Sequence, residues 1–407
     1  MRSDGAAPGP LLRLTIAGGA AATAVIVTSA ALELGRGHWA AALVALPLLG
    51  AAAVISAVTY PRLIAATSAA LGFLLVGIAT GGLVALVDDA RWAVALHVAA
   101  AGASLAASLV ALVISFRGEP LAFGSLRDYI TLTKPRIMSL LLLTGAAGMF
   151  VGAGGWPNGW MFLAMMAGLA LACGGSSALN HVMDADIDKL MGKRTAARPV
   201  AAGRVAAPRA LEFGVVLMAL SFALLASAVN VLTAVLALVG GLFYVVVYTG
   251  YLKRSTDQNI VIGGAAGAVP PLVGYAAATG DLTLTALLLF LIVFLWTPPH
   301  FWALALMIKE HYAAANVPML PGTRGDRETT RQILLYSIVM VAFTVAAGWW
   351  LGPAYTIAAA LLGAYFLLLA WQLRRRASRR SAVVLFHYSL AYLALIFVAA
   401  AIDPLLT

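Results

Sequence analysis

The sequence predicts an all-α integral membrane protein of about 13 spans with its N-terminus in the cytoplasm, and three observations carry that expectation. First, 62% of the 407 residues are hydrophobic and only 10% charged, with a mean hydropathy of +0.96, where a soluble domain is about half apolar and about one-quarter charged. Second, apolar runs of about 20 residues, the length that crosses a bilayer, recur along the whole chain, and no strand alternation of the kind a membrane barrel needs competes with them. Third, the basic residues fall almost wholly on one side of those spans. This balance excludes a soluble enzyme, a disordered chain and a secreted disulfide scaffold. The single cysteine, Cys173, excludes an internal disulfide or a thiolate metal cluster within one chain. The formal charge of +10 is met by cytoplasmic loops rich in Lys and Arg rather than by nucleic acid.

In chain order the spans are expected at about 11–33, 39–58, 63–87, 92–116, 137–154, 159–181, 209–228, 231–251, 259–279, 284–307, 332–351, 354–373 and 383–402. The first is kept as a helix rather than a signal peptide, because its apolar run is longer than an h-region and further spans follow at once. Alternating thirteen spans from a cytoplasmic N-terminus puts 24 of the 26 basic residues on the cytoplasmic side, with Arg36 and Arg91 outside. A wrong span count would scramble that asymmetry, so count and orientation support each other.

The outer loops 155–158, 229–230, 280–283 and 352–353 are short, whereas the cytoplasmic loops 182–208 and 308–331 are long, and long loops are where function concentrates. A polar break at 117–136 divides the chain into a four-helix extension (1–116), a cytoplasmic linker (117–136) and a nine-helix domain (137–407). Small-residue pairs such as Gly148/Gly152 and Gly263/Gly267 suit close helix packing. Pro270–Pro271 and Pro298–Pro299 interrupt two spans, which is tolerated where the break is buried or faces a cavity and so hints at one.

The most informative stretch is 176–209, SSALNHVMDADIDKLMGKRTAARPVAAGRVAAPR. Asn180, Asp184 and Asp188 follow an i, i+4, i+8 spacing that puts a carboxamide and two carboxylates on one helix face, with Asp186 turned away. Carboxylates at a membrane helix end are costly unless paired or bound to a cation. Hard oxygen ligands of this kind suit Mg²⁺, with substrate phosphates completing the shell. Lys193, Arg194, Arg198 and Arg204 follow at once, and carboxylates beside guanidinium groups fit an anion that carries its own metal, such as a diphosphate. A solvated helix end with topogenic charges accounts equally well for the acidic spacing taken alone. The second cytoplasmic patch, Lys253 and Arg254 in YTGYLKRSTDQN, and the third, Lys309, Glu310, His311 and Tyr312, point instead to three loops around one polar cavity.

These residues carry a resemblance. About 125–405 resembles the UbiA superfamily of intramembrane prenyltransferases, and within it the haem branch, the protohaem IX farnesyltransferases or haem O synthases. The likeness rests on TKPRI (133–137), NHVMDADIDKLMGKRTAARP (180–199), YLKRSTDQNIVIGGAAGAVPPLVGYAAATG (251–280), TPPHFWALAL (297–306) and VPMLP (317–321). It implies a nine-helix UbiA-type bundle around a central cavity, capped by cytoplasmic loops. It also implies an enzyme of the bacterial plasma membrane that transfers the farnesyl group of farnesyl diphosphate to a vinyl group of protohaem IX (haem B), with water adding to give haem O. By the same resemblance Asn180, Asp184 and Asp188 match the Mg²⁺–diphosphate motif. Lys253 and Arg254 match the basic pair that holds the diphosphate, with Arg194, Arg198 and Lys309 as further cations. The acid expected directly before Tyr312 is His311 here, so either Glu310 takes over the second metal contact or that contact is weaker; His181 and Asp257 are also unusual for their positions. His300 and Trp302 are candidates for haem contact, with helix packing as the alternative.

The extension is outside that match. Residues 64–112 resemble a helix pair from one half of haem A synthase, which makes His97, with His38 as its partner, a candidate haem site and a haem A synthase a candidate partner; the cysteine-bearing outer loop of that family is absent. Two other functions stay open. Another UbiA-type enzyme acting on a quinone or lipid precursor would not need the NIVIGG and PPHFWALA segments. A non-catalytic haem-binding chaperone would not need Asn180, Asp184, Asp188, Lys253 and Arg254.

Overall fold

The computed structural model describes residues 9–31, 35–60, 63–86, 91–115 and 124–406. Within these ranges the side chains of 27–31, 35–40, 82–86, 91–96, 99 and 113 stay outside the description, so His38 does too. The described residues form helices and connecting turns without a β-strand. Helices α1 (Pro10–Ala31), α2 (Gly35–Thr59), α3 (Ile64–Leu86) and α4 (Arg91–Ser115) make the extension. Their buried side chains are mostly Ala, Leu and Ile, as in the set Ile26, Ala45, Leu49, Ala70 and Leu74. Small residues let helices approach closely in a bilayer.

The expected linker is not a free tether in its described part. Helix α5 (Leu126–Leu132) starts at a reciprocal cap in which Ser125 and Asp128 bond each other's backbone N–H groups. Ser177 then donates to Leu132 O at 2.6 Å, which ties α5 to the bundle. Helices α6 (Pro135–Ala153) and α7 (Gly159–Met183) follow, with two short helices, α8 (Ala185–Leu190) and α9 (Lys193–Ala196), beyond α7. Next come α10 (Ala207–Ala228) and α11 (Val231–Leu242), and α11 runs into a π-helix over Phe243–Leu252 and then α12 (Lys253–Ser255). Helices α13 (Asn259–Thr279), α14 (Leu284–Met307) and α15 (Lys309–Ala314) precede α16 (Leu320–Ala346). The last three are α17 (Gly348–Leu351), α18 (Pro353–Arg376) and α19 (Arg379–Leu406).

Eleven helices among the described residues are long and apolar enough to cross a membrane, nine of them between Pro135 and Leu406. Two further expected spans coincide with α1 and α4, whose searched apolar stretches, Pro10–Ile26 and Ala100–Leu112, are shorter. The expected loop 308–331 is largely helical. Helix α16 begins at Leu320 and kinks at Gly325, where φ is 78°, a conformation glycine adopts without steric cost.

The proline pairs do not break their helices. Pro270 and Pro271 lie inside α13, and Pro298 and Pro299 inside α14. Instead of opening a cavity, the α13 backbone at Pro271 is the surface against which Gly148 of α6 packs, with no room for a Cβ there or at Gly274 opposite Gly145. Helix α4 meets α10 in the same manner: a Cβ on Gly102 would lie 3.3 Å from Ala219 O and from Ala223 Cβ. The large aromatic core, with Trp296, Tyr355, Phe366, Tyr392 and Phe397, joins α14, α16, α18 and α19.

Candidate active site

The polar site forms where α7 ends. Asp184 caps α7 with φ −91° and ψ 3°, and the chain restarts as α8. The three acidic-motif residues therefore do not share one uninterrupted helix as the spacing suggested. Asp188 N still donates to Asp184 O at 2.8 Å, which keeps the next carboxylate close. All three side chains are buried, at 3% exposure for Asn180, 1% for Asp184 and 0% for Asp188.

Buried carboxylates need partners, and here cations reach the cluster from one nearby and two distant segments. Lys253 Nζ donates to Asp184 Oδ2 at 2.6 Å, and Arg198 Nη1 donates to Asp188 Oδ1 at 2.6 Å. Lys134 Nζ donates to Asn180 Oδ1 at 2.7 Å. Asn180 Nδ2 in turn donates to Asp184 Oδ2 at 2.8 Å and to Thr249 Oγ1 at 3.0 Å. Burial pushes the Asp188 carboxyl above its usual value against the pull of Arg198. Burial, followed by repulsion from Arg198, pushes the Lys134 ammonium down to about 7.

The π-helix sets the phase of this cluster. Within it the Thr249 hydroxyl donates to Tyr244 O five residues back at 2.9 Å, and wide π-turns often mark functional sites. Tyr244 and Tyr248 stack with centroids 5.7 Å apart. Tyr312, half-buried against Tyr248 and Ile187, belongs to the same wall, and burial pushes its hydroxyl up to about 12.

The structure does not gather every expected site residue. Arg254 donates to both oxygens of Asp186, at 2.7 and 2.8 Å, and to Met183 O, so it clasps the end of α7 from outside rather than facing Asp184. That bidentate bond is the chief reason the Asp186 carboxyl is held at about 2. Arg194 is exposed on α9. Lys309 bonds Asp326 at 2.7 Å. With Glu310 it lines a separate cavity of about 420 Å³ beside Arg379, and no described bond joins Lys309 or Glu310 to Asp184 or Asp188. His311 lies against Gly192 between α8 and α9. The unusual Asp257 bonds Arg324 and Thr323 and so ties the start of α16 to the turn before α13.

His300 and Trp302 belong to the core. His300 Nδ1 bonds Ser389 Oγ at 2.6 Å, and its ring is stacked between Trp296 (4.3 Å) and Phe386 (4.7 Å). Trp302 is 2% exposed and packs edge-on against Tyr336. In the extension, His97 is buried, with Nδ1 2.6 Å from Gly77 O. Lys134 and Thr249 are the members of the cluster that spacing missed. Lys134 is inside the quoted TKPRI stretch, but only the fold brings it across to Asn180, 46 residues away.

Two carboxylate oxygens in this cluster, Asp184 Oδ1 and Asp188 Oδ2, are buried without a hydrogen-bond partner. One free hard-oxygen ligand on each acid fits a divalent cation that draws its remaining ligands from a substrate.

Residues 141–396 match the UbiA prenyltransferase family. Among curated relatives, the chain is 51% identical over 280 residues to the protoheme IX farnesyltransferase of Roseiflexus castenholzii, covering 68% of this chain and 52% of that one. It is 52% identical over 281 residues to the protoheme IX farnesyltransferase of Symbiobacterium thermophilum, covering 68% of this chain and 94% of that one. The chain thus spans about half the length of the Roseiflexus relative. Of solved structures, a digeranylgeranylglyceryl phosphate synthase matches with a TM-score of 0.58 at 17% identity, over 69% of this chain and 99% of that one. A UbiA homolog from Archaeoglobus fulgidus bound to GPP and Mg²⁺ matches with a TM-score of 0.50 at 17% identity, over 67% of this chain and 99% of that one. At these identities the structures speak for the fold alone.

Proposed function

The chain belongs to the UbiA prenyltransferase family, and from that premise we propose that it transfers a farnesyl group from farnesyl diphosphate to a vinyl group of protohaem IX, giving haem O. The observation that carries this reading is the buried Asn180–Asp184–Asp188 frame, met by Lys134, Arg198 and Lys253 at one end of an apolar bundle. The likeness to protoheme IX farnesyltransferases, one of them matched over 94% of its length, selects the acceptor.

The chemistry follows from that arrangement. The allylic C–O bond of a prenyl diphosphate ionises when the charge growing on the leaving diphosphate is stabilised. Lys253 and Arg198 hold the carboxylates, and both cations have further N–H donors to offer an incoming diphosphate. Asn180, Asp184 and Asp188 would hold Mg²⁺ through the free carboxylate oxygens, and the ion would supply positive charge at the leaving group. Tyr244, Tyr248 and Tyr312 wall the site and exclude water. The polyprenyl tail enters a bundle whose walls are already apolar, and the vinyl carbon captures the cation before water completes the hydroxyethyl side chain.

The proposed setting is the bacterial plasma membrane, with the site toward the cytoplasm, where the positive-inside count places it. A haem A synthase is the partner of choice, as the enzyme class that uses haem O. The test is direct. Purified protein in lipid nanodiscs with Mg²⁺, farnesyl diphosphate and haem B is expected to yield haem O by chromatography. Folded, haem-loaded protein that yields none overturns the reading, and product formed only with a quinone or lipid precursor reassigns the acceptor.

A further inference from the structure

His181 stands one residue after Asn180 on α7 and is 2% exposed, yet neither of its ring nitrogens has a hydrogen-bond partner. A buried polar group without a partner is costly, and in a native fold it calls for an explanation. The charged groups that act on the ring are Lys134 and Arg198. An imidazole left unbonded in the field of two cations is costly on its own. It is a good arrangement for an anion, since either ring tautomer keeps one N–H to donate.

The neighbours have matching spare capacity. Lys134 uses one described hydrogen bond, to Asn180, and Arg198 uses one, to Asp188. An ammonium has three donors and a guanidinium five. Lys134, at the turn before α6, and Arg198, at the turn after α9, thus reach the Asn180–Asp188 cluster, and His181 follows Asn180 directly on α7. The free oxygens of Asp184 and Asp188 are on the same cluster, where a substrate-borne cation would sit between carboxylate and phosphate.

We propose that His181, together with Lys134 and Arg198, binds the terminal phosphate of the prenyl diphosphate, and so makes His181 a further substrate-binding residue of this chain. This rests on the prenyl-transfer reading above. As the allylic C–O bond breaks, its electron pair stays on the diphosphate oxygen. His181 N–H then donates a hydrogen bond to the more highly charged leaving group, with no proton transferred.

The test uses the full chain in nanodiscs, with inorganic pyrophosphate as the probe in the presence of Mg²⁺, read by calorimetry, beside haem O formation. His181→Phe keeps the ring and removes both nitrogens; it is expected to weaken pyrophosphate binding about tenfold, worth about 1.4 kcal/mol. His181→Asn restores a donor and is expected to recover most of that loss. Lys134→Met is expected to lose a similar factor, and the double variant His181→Phe/Lys134→Met to lose less than the product of the two, because the residues share one phosphate. Unchanged affinity in His181→Phe overturns the proposal while leaving prenyl transfer standing. Wild type that binds no pyrophosphate and makes no product overturns prenyl transfer itself. Should His181→Phe fail to fold, the wild type carries the test. Among its six histidines, labelled with ¹⁵N, Mg²⁺ and pyrophosphate must shift the ring signal that is missing in His181→Asn, and an unmoved signal overturns the proposal.

Discussion

The two ends of the chain differ in the polar side chains they bury. In the described part of the extension, several hydroxyls and one imidazole bond the backbone. Thr23 bonds Gly19 O, Thr67 bonds Leu63 O, Ser108 bonds Ser104 O, Ser104 reaches Ala70 O, and His97 pairs with Gly77 O. The bundle keeps hydroxyls of the same kind, as in Ser221 with Gly168 O, but adds buried carboxylates that meet cations, Asp188 with Arg198 ten residues on and Asp184 with Lys253 69 residues on. The first arrangement closes hydrogen bonds at little cost and fixes packing. The second keeps charges desolvated, which is destabilising unless a ligand uses them. The contrast teaches where to look for chemistry in an apolar chain: at polar groups that a quieter sequence could have avoided.

The largest expected effects test the charged end. Asp184→Asn and Asp188→Asn are each expected to lower haem O formation about 10³-fold, the scale of losing a preorganised charge-stabilising group, with folding checked by thermal unfolding. Product at the wild-type rate would break the contrast outright. Next comes Lys253→Met, which strands Asp184 beside Asn180 alone. Removing one partner of a buried pair costs about 3–5 kcal/mol, so a clear drop in melting temperature and a fall of about 100-fold in kcat/KM are expected together. Added Mg²⁺ and pyrophosphate should recover part of the stability, since a ligand that binds only the folded state stabilises it.

Smaller effects test the quiet end. Gly102→Leu forces a side chain between α4 and α10, where a Cβ alone would sit 3.3 Å from Ala219 O. Overpacking costs about 1–3 kcal/mol, so the melting temperature should fall while haem O formation stays within about twofold, under half a kcal/mol of barrier. A larger loss of rate would tie the extension to the chemistry and sharpen the comparison differently. The smallest effect concerns the α5 cap. Backbone and side-chain bonds from Ser125, with Arg204, hold the Asp128 carboxyl at about 2, below its ordinary 3.8. Its contribution is therefore complete above about pH 4 and is lost as pH falls toward 2. The melting-temperature gap between wild type and Asp128→Asn should be constant from pH 7 to 5 and narrow below about pH 4.

Much of this was legible in the residues. Helices α13 and α14 span the same residues as their apolar runs, because Thr279–Gly280 and Thr283–Leu284 are sharp polar or turn boundaries. The acidic motif was legible from its four-residue spacing, and Asp186 does point away, to Arg254. The partners were not. Which cation meets which carboxylate depends on helix packing: Arg254, adjacent in sequence to Lys253, bonds a different acid. His300, beside a proline pair, leaves haem contact and helix packing both open in the sequence, and only the fold shows Trp296 and Phe386 stacked on its ring. The Pro270–Pro271 pair reads as a cavity signal, but Gly148 packs against the backbone of Pro271. Local pattern finds the groups that are expensive to bury, and tertiary contact decides what compensates them.

The wide-turn segment Phe243–Leu252 has a consequence for how the chain tolerates length changes. An α-helix advances about 100° per residue, and a π-turn takes up one residue more than an α-turn. Deleting a single residue from that segment would remove the extra residue and let it relax into ordinary α-helix, with everything after it keeping its place against α7 and Lys253 still opposite Asp184. What the deletion takes away is the local widening that lets Thr249 reach both Tyr244 O and Asn180. The span and the ion pair are both expected to survive it, so any loss of activity would report the contacts of Thr249 alone.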